Sequence, residues 1–395
     1  MGASSFSWLR VVRWCIGLVL LAGCTDAYLP DEIKAVPNYL VVDGVINPVG
    51  VTKIKLTRTY AIGSSAAVPP AETRATVYME EEAGQRFALL ESAGGVYTSS
   101  SLTLNPARRY RLRLTTQAGK EYASDFVPVK TTPPIDAVTW RATTDGLNVS
   151  VSTHDTTNAT QYYRWETDET WEILPPYRPT VEYVNRVMRD IVLPFPTVCY
   201  GNAHSTTVQL AKTTAQTQDV VSDLRVRQLS TSSERLYSRY SILVQQFALT
   251  KEEYAYWELL RKNTESIGSL FDPQPAQLTG NVRCLSDPND LALGFVGAHS
   301  RTEKRIFVRR ADLPRAWFPS DGYEGCIPPD TVFFYRDSRP PPPAVTLENN
   351  FNPSRDQLPI GAIYEGSRLA GYTAKKKDCV DCRTRGASVK PTFWP

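Results

Sequence analysis

Three groups of residues in this chain have types and spacings that could do chemistry. The first is the run Tyr162-Tyr163-Arg164-Trp165-Glu166-Thr167-Asp168-Glu169-Thr170-Trp171-Glu172. On a strand, Tyr163, Trp165 and Trp171 share one face while Glu166, Asp168 and Glu172 share the other. Paired carboxylates suit glycosidic hydrolysis, which needs an acid and a base flanking the bond, and clustered carboxylates also suit calcium. Carboxylates at i and i+2 on an exposed strand are commonplace, however, and nothing else in the sequence supplies a second half-site. The second group is Cys379-Val380-Asp381-Cys382, with the C-x-x-C spacing of redox and zinc sites. It has no second C-x-x-C, no nearby histidine and no βαβ pattern around it, so a structural disulfide is expected, joining Cys326 with Cys379 or Cys382. The third is Leu21-Ala22-Gly23-Cys24, where small residues precede a cysteine at the end of an apolar run.

That third group has the form of a lipoprotein cleavage and lipidation site. Arg10 and Arg13 supply a positive n-region, and residues 14–22 an apolar h-region. The run is too short to span a membrane, which takes ~20 residues. The expectation is a signal peptide at 1–23, lipid attachment at Cys24, and a short polar tether at 24–36 containing Pro30. A single acyl chain holds a protein only marginally, whereas several hold it stably.

Composition bounds the rest. The residues are 42% hydrophobic, enough for real cores, and the net charge of +3 does not call for nucleic acid. Plentiful Thr, Val and Tyr with only 3 Met favour strands. Of 7 cysteines, Cys15 and Cys24 belong to the leader and anchor. The exported body keeps Cys199, Cys284, Cys326, Cys379 and Cys382, so one thiol is left over after pairing in an oxidising compartment. The three histidines, His154, His204 and His299, are far apart in sequence. No metalloprotease, nucleophile-elbow, phosphate-loop or dinucleotide motif is present, and no cofactor is implied.

The elements that would position these residues are mostly strands. Ile54 and Leu56 alternate with Lys53, Lys55 and Thr57, and the alternation returns at Ala75, Val77, Met79 and at Tyr110, Leu112, Leu114. Ala93-Gly94-Gly95 and Gln117-Ala118-Gly119 mark turns between them. This predicts an immunoglobulin/transthyretin-like β-sandwich over 37–131. Arg109, Arg111 and Arg113 then form a basic row on an outward face, either an anion contact or a solvated strand face. Thr131-Thr132-Pro133-Pro134 marks the boundary to a β-rich C-terminal domain over 132–395. The fold class is mainly β: two antiparallel sandwich-like domains, with one short helix at about 250–267 in the second. The helix is signalled by Thr250-Lys251-Glu252-Glu253, a capping box, and by Tyr254, Trp257 and Leu260 at helical spacing. Residues 340–343 read as an exposed polyproline segment. The excursion after Pro175 is a long insertion, and Phe393-Trp394 make an unusually apolar tail that is expected to dock.

Several of these blocks occur together in a recognisable order. The lipobox is followed by Tyr39-Leu40-Val41-Val42-Asp43-Gly44, the 162–172 block, Arg239-Tyr240-Ser241-Ile242-Leu243-Val244-Gln245-Gln246-Phe247, and Gly268-Ser269-Leu270-Phe271-Asp272-Pro273-Gln274-Pro275 with Gly280-Asn281. The end carries the C-x-x-C, Lys390-Pro391 and Phe393-Trp394. Together they resemble the domain-of-unknown-function 4249 family of Bacteroidota lipoproteins. The resemblance implies an outer-membrane lipoprotein that works beside a TonB-dependent receptor, on either the periplasmic or the cell-surface face. It brings no catalytic or ligand-binding residues. The expected function is a binding or accessory subunit in nutrient uptake, without enzymatic turnover. The alternatives are an envelope glycan hydrolase using carboxylates near Glu166 and a purely structural envelope protein.

Overall fold

The computed structural model describes residues 38–60, 68–265, 278 and 280–395. The chain is mainly β, arranged as several antiparallel sheets. Cys24, the leader and the tether lie outside the described residues, as does the block from 268 to 275.

The first sheet has ten strands, and the alternation expected from the sequence sets which side chains enter it. Along Val49–Arg58, Thr52, Ile54 and Leu56 are buried while Lys53 and Lys55 are exposed. Leu40, Val42, Met79, Tyr97, Tyr110, Leu112, Leu114 and Tyr122 join Ile54 and Leu56 in one core. The unit does not close within 37–131. The strand Val282–Cys284 pairs antiparallel with Glu121–Ser124, and Ala292–Leu293 pairs parallel with Leu40–Val45. Chain from beyond the helix therefore supplies both outermost strands, and the sequence boundary at 131 does not contain this sheet.

The second unit packs two sheets face to face. One joins Ile135–Thr143, Gly146–Asp155 and Asp219–Leu229; the other joins Cys199–His204, Tyr162–Ile173, Arg239–Ala248 and Arg301–Arg309. Leu147, Val149 and Val151 from the first meet Tyr163, Trp165, Tyr240, Ile242 and Val244 from the second. The 131–134 segment between the units is pinned rather than loose. Ala248 N–H donates to Thr132 Oγ1 at 3.0 Å, and the Gln246 amide donates to the Pro133 carbonyl at 2.9 Å.

The helix Lys251–Glu265 forms where the capping residues place it, and Glu253 N–H donates to Thr250 Oγ1 at 3.1 Å. The Glu253 carboxylate faces His299 Nε2 at 3.3 Å, and no bond back to the cap forms among the described contacts. The segment 296–300 carries that imidazole into the helix's first turn, and both side chains are buried. Tyr254 packs on Tyr162 and Leu210, seating the helix on the sheet edge.

Among the described residues the single expected helix is accompanied by two others, Pro343–Phe351 and Lys377–Val380. The first begins at Pro343, so the expected polyproline segment 340–343 ends one residue early. Proline at a first helical position sacrifices no hydrogen bond, and Ala344, Leu347 and Glu348 then favour helix. Pro340, Pro341 and Pro342 remain exposed ahead of it.

Candidate functional site

The strand Tyr162–Ile173 runs through the middle of the second unit, and its two faces divide as the pattern requires. Tyr163 and Trp165 are fully buried and stack at 5.6 Å. On the other face each of the three candidate carboxylates is engaged by a different neighbour. Glu166 pairs with Arg164, and Asp168 with His204 Nδ1. Glu172 accepts from Ser238 Oγ at 2.6 Å and from the Trp394 indole at 3.0 Å. Glu166 borders a cleft of about 240 Å³, whose lining contains no second carboxylate. No group of three metal-ligating side chains gathers among the described residues.

The acidic residue that matters most to the core is one not singled out above. Glu169 shares odd parity with Tyr163, Trp165 and Trp171, so it enters the aromatic face. Its carboxylate there meets Arg227 Nε at 2.8 Å, Arg235 NH1 at 2.7 Å and the Tyr240 hydroxyl at 2.8 Å. Burial pushes the Tyr240 hydroxyl's pKa well up, and the neighbouring carboxylate adds to that shift. Parity alone could have found this residue.

The basic row is a salt-bridged face. Arg111 Nε reaches Glu80 at 2.7 Å, Arg113 reaches Glu121 at 3.0 Å, and Arg109 lies 4.0 Å from Glu82. Burial pushes the Glu80 pKa up, but hydrogen bonds from Arg111 and Arg86 outweigh it and the net shift is downward.

The cysteines settle the alternative left open by the sequence. Cys326 pairs with Cys379, not with Cys382. Cys382 pairs instead with Cys199, across 183 residues, so the two cysteines of the C-x-x-C are held by different partners. Cys284 is free and buried. The tail is docked: Trp394 is buried, with its ring 5.3 Å from Tyr200 and 5.5 Å from Phe307. Arg305 lies 3.6 Å above the half-exposed Phe393 ring.

These disulfides anchor a small module that gathers two distant loops. Its sheet joins Asp330–Phe333, Arg368–Lys375 and Leu358–Glu365. The hairpin Val181–Val184 with Val187–Asp190, from the excursion after Pro175, packs beside it through a bond from Thr180 N–H to the Ile360 carbonyl. The helix that follows the prolines closes the other side. Val181, Val332, Phe334, Phe351 and Tyr372 make the small core, and Tyr183 donates to Glu348 at 2.8 Å. Cys326–Cys379 ties the module's entry to its exit.

The chain matches a family described as Domain of unknown function (DUF4249) over residues 25–305. The C-x-x-C, Lys390-Pro391 and Phe393-Trp394 lie beyond that match. No curated protein matches. Among solved structures, the chitinase ChiA74 from Bacillus thuringiensis is similar at 9% identity over 47% of this chain and 30% of that chain. Its TM-score of 0.14 carries no argument about fold or activity. With more than two thirds of its residues inside the family match, and in a mainly β fold, the chain belongs to the DUF4249 family.

Proposed function

We propose that the protein is an outer-membrane lipoprotein, held through Cys24, that acts by binding as an accessory subunit beside a TonB-dependent transporter in nutrient uptake. The supporting observation is the disulfide-anchored module, in which the hairpin Val181–Asp190 and the proline loop converge; the rest of the expected 175–217 excursion instead returns to the central sheet as Cys199–His204 and Gln209–Lys212. Loops carried on a rigid scaffold are where binding residues concentrate. The module and its flanking loop expose large apolar side chains, with Leu193 80% and Val192 68% accessible and Val187, Val345 and Tyr364 also outward. Lipid confinement raises the local concentration of other envelope components, so a modest docking surface suffices for occupancy.

Two experiments test this. Cys24→Ala is expected to leave precursor or soluble protein, without incorporation of a palmitate analogue; a variant that still labels and sediments with membranes contradicts the anchor. Tagged protein taken from its own outer membrane is expected to bring down a β-barrel transporter. The double variant Leu193→Asp, Val345→Asp should lower that recovery at least tenfold. Both side chains are exposed, so stability should change by no more than about 1 kcal/mol. Cleavage of an envelope glycan by the purified protein, lost in Glu166→Gln, would replace this function with a hydrolase.

A further inference from the structure

The two disulfides differ in what can reach them. Cys199 and Cys382 are wholly buried, whereas Cys326 and Cys379 keep 7% and 4% of their surface. Cys326 and Cys379 both line a cleft of about 470 Å³, formed where residues 322–326 face residues 375–379 and Arg385. The wall beside Cys326 is open: a Cβ added at Gly325 would meet nothing within 4 Å. The rest of the lining is charged but balanced, with Lys375, Lys376 and Arg385 against Glu324, Asp330 and Asp378. Such a cleft repels neither a cationic nor an anionic visitor. The C-x-x-C therefore holds two cysteines in different settings, Cys379 at a cleft and Cys382 in the core. Exchange between a thiol and a disulfide depends on access to a sulfur, and only one of the two bridges offers it.

We propose that the Cys326–Cys379 bridge is a thiol-exchange site: a thiol entering the cleft reduces it while Cys199–Cys382 stays closed. A donor thiolate attacks one sulfur of the bridge, forming a mixed disulfide with that cysteine and releasing the other as a thiolate. A second donor thiolate attacks the mixed disulfide. Both cysteines end reduced, and the two donors leave joined as a disulfide, having supplied two electrons. The freed thiolates take protons from water. The consequence is local. Cys326 stands ahead of Asp330–Phe333 and Cys379 follows Arg368–Lys375, so reduction unfastens the module that carries the exposed apolar loops. Cys199–Cys382 continues to hold the tail turn to the sandwich. The C-x-x-C thus divides its cysteines between a closure that opens and one that does not. The donor is a thiol, whether a small molecule or the dithiol of an oxidoreductase, and the site does not need the transporter.

The test is a timed reduction of the native full chain with dithiothreitol, glutathione or thioredoxin, quenched by alkylation and read by peptide mass mapping. Cys326 and Cys379 should be alkylated about tenfold faster than Cys199 and Cys382, at a rate proportional to thiol concentration. Protease cleavage should then begin between residues 326 and 379 while the sandwich stays intact. Lys376→Trp sets a bulky ring in the cleft from an exposed position. It should slow reduction of this bridge about fivefold, with an unchanged melting temperature and an unchanged rate at Cys199–Cys382. Reaction with the small thiols alone assigns a small-molecule donor, and faster reaction with thioredoxin assigns a protein one. Three outcomes overturn the proposal: the two bridges open together; the rate does not rise with thiol concentration, which makes unfolding the route; or Lys376→Trp slows nothing. Since no receptor is present, failure here leaves the co-purification result untouched, and loss of the receptor leaves the exchange site untouched.

Discussion

Glu169→Ala is expected to cost about 3 kcal/mol of folding stability, at the lower end of the range for breaking a buried ion pair. The carboxylate is 3% accessible and holds three groups that come from separate parts of the chain. Its removal leaves the Tyr240 hydroxyl buried without its acceptor and two guanidinium groups without a counter-charge. Arg227 and Arg235 keep side-chain accessibilities of 33% and 23%, so water relieves part of the penalty. Arg235 also retains its position 4.6 Å over the Trp171 ring. Glu166→Ala is the control: its carboxylate is 44% accessible, and an exposed pair contributes about 1 kcal/mol or less. Urea denaturation of both variants, with the slope unchanged, gives the comparison directly. Equal midpoints would show that the Glu169 cluster contributes nothing beyond a surface pair.

The second large effect concerns the two disulfides. Paired serine substitution of Cys326 and Cys379 removes a loop closure spanning 53 residues, a loss of about 4 kcal/mol in the chain-entropy model. The Cys199–Cys382 bridge spans 183 residues and is worth about 5 kcal/mol on the same basis. Both bridges end in the same tail turn, so the two losses should not add. The module should become protease-sensitive before the sandwich does in the Cys326/Cys379 variant, because that bridge closes only the module. Peptide mapping without reduction checks the pairing, and a Cys379–Cys382 linked peptide would overturn it.

The parts of this architecture that were legible in the sequence are those set by local periodicity. Ile54 and Leu56, Tyr110 to Leu114, and Leu147 to Val151 all enter cores as their alternation requires. Thr250 starts its helix because a hydroxyl can satisfy an orphan N–H within three residues. What escaped depends on chain segments far apart. Val282–Cys284 and Ala292–Leu293 are too short to carry a period, and their strand character comes from the partners they meet. Cys199 looked unremarkable because only the tertiary fold brings it to Cys382. The helix at Pro343 was hidden by composition, since proline is tolerated in a first turn but signals extended chain elsewhere. Of the candidate site, the opposed faces of the 162–172 strand were legible. The partners of Glu169 were not, because Arg227, Arg235 and Tyr240 reach its carboxylate only through the tertiary fold.

The return of residues 282–293 to the first sheet bears on how the molecule is made. The strand Glu121–Ser124 receives its outer neighbour only after about 160 further residues have been synthesised, counted from 124 to 282, and Leu40–Val45 only after about 250, counted from 40 to 292. Until then both present unpaired backbone, the feature that invites strands of other chains to add. Contacts of such sequence separation are closed slowly, because loop entropy is lost before pairing rewards it. The first unit therefore cannot mature as the chain emerges. It waits for the second, and a fragment ending at residue 131 keeps two open edges and should associate with its own copies.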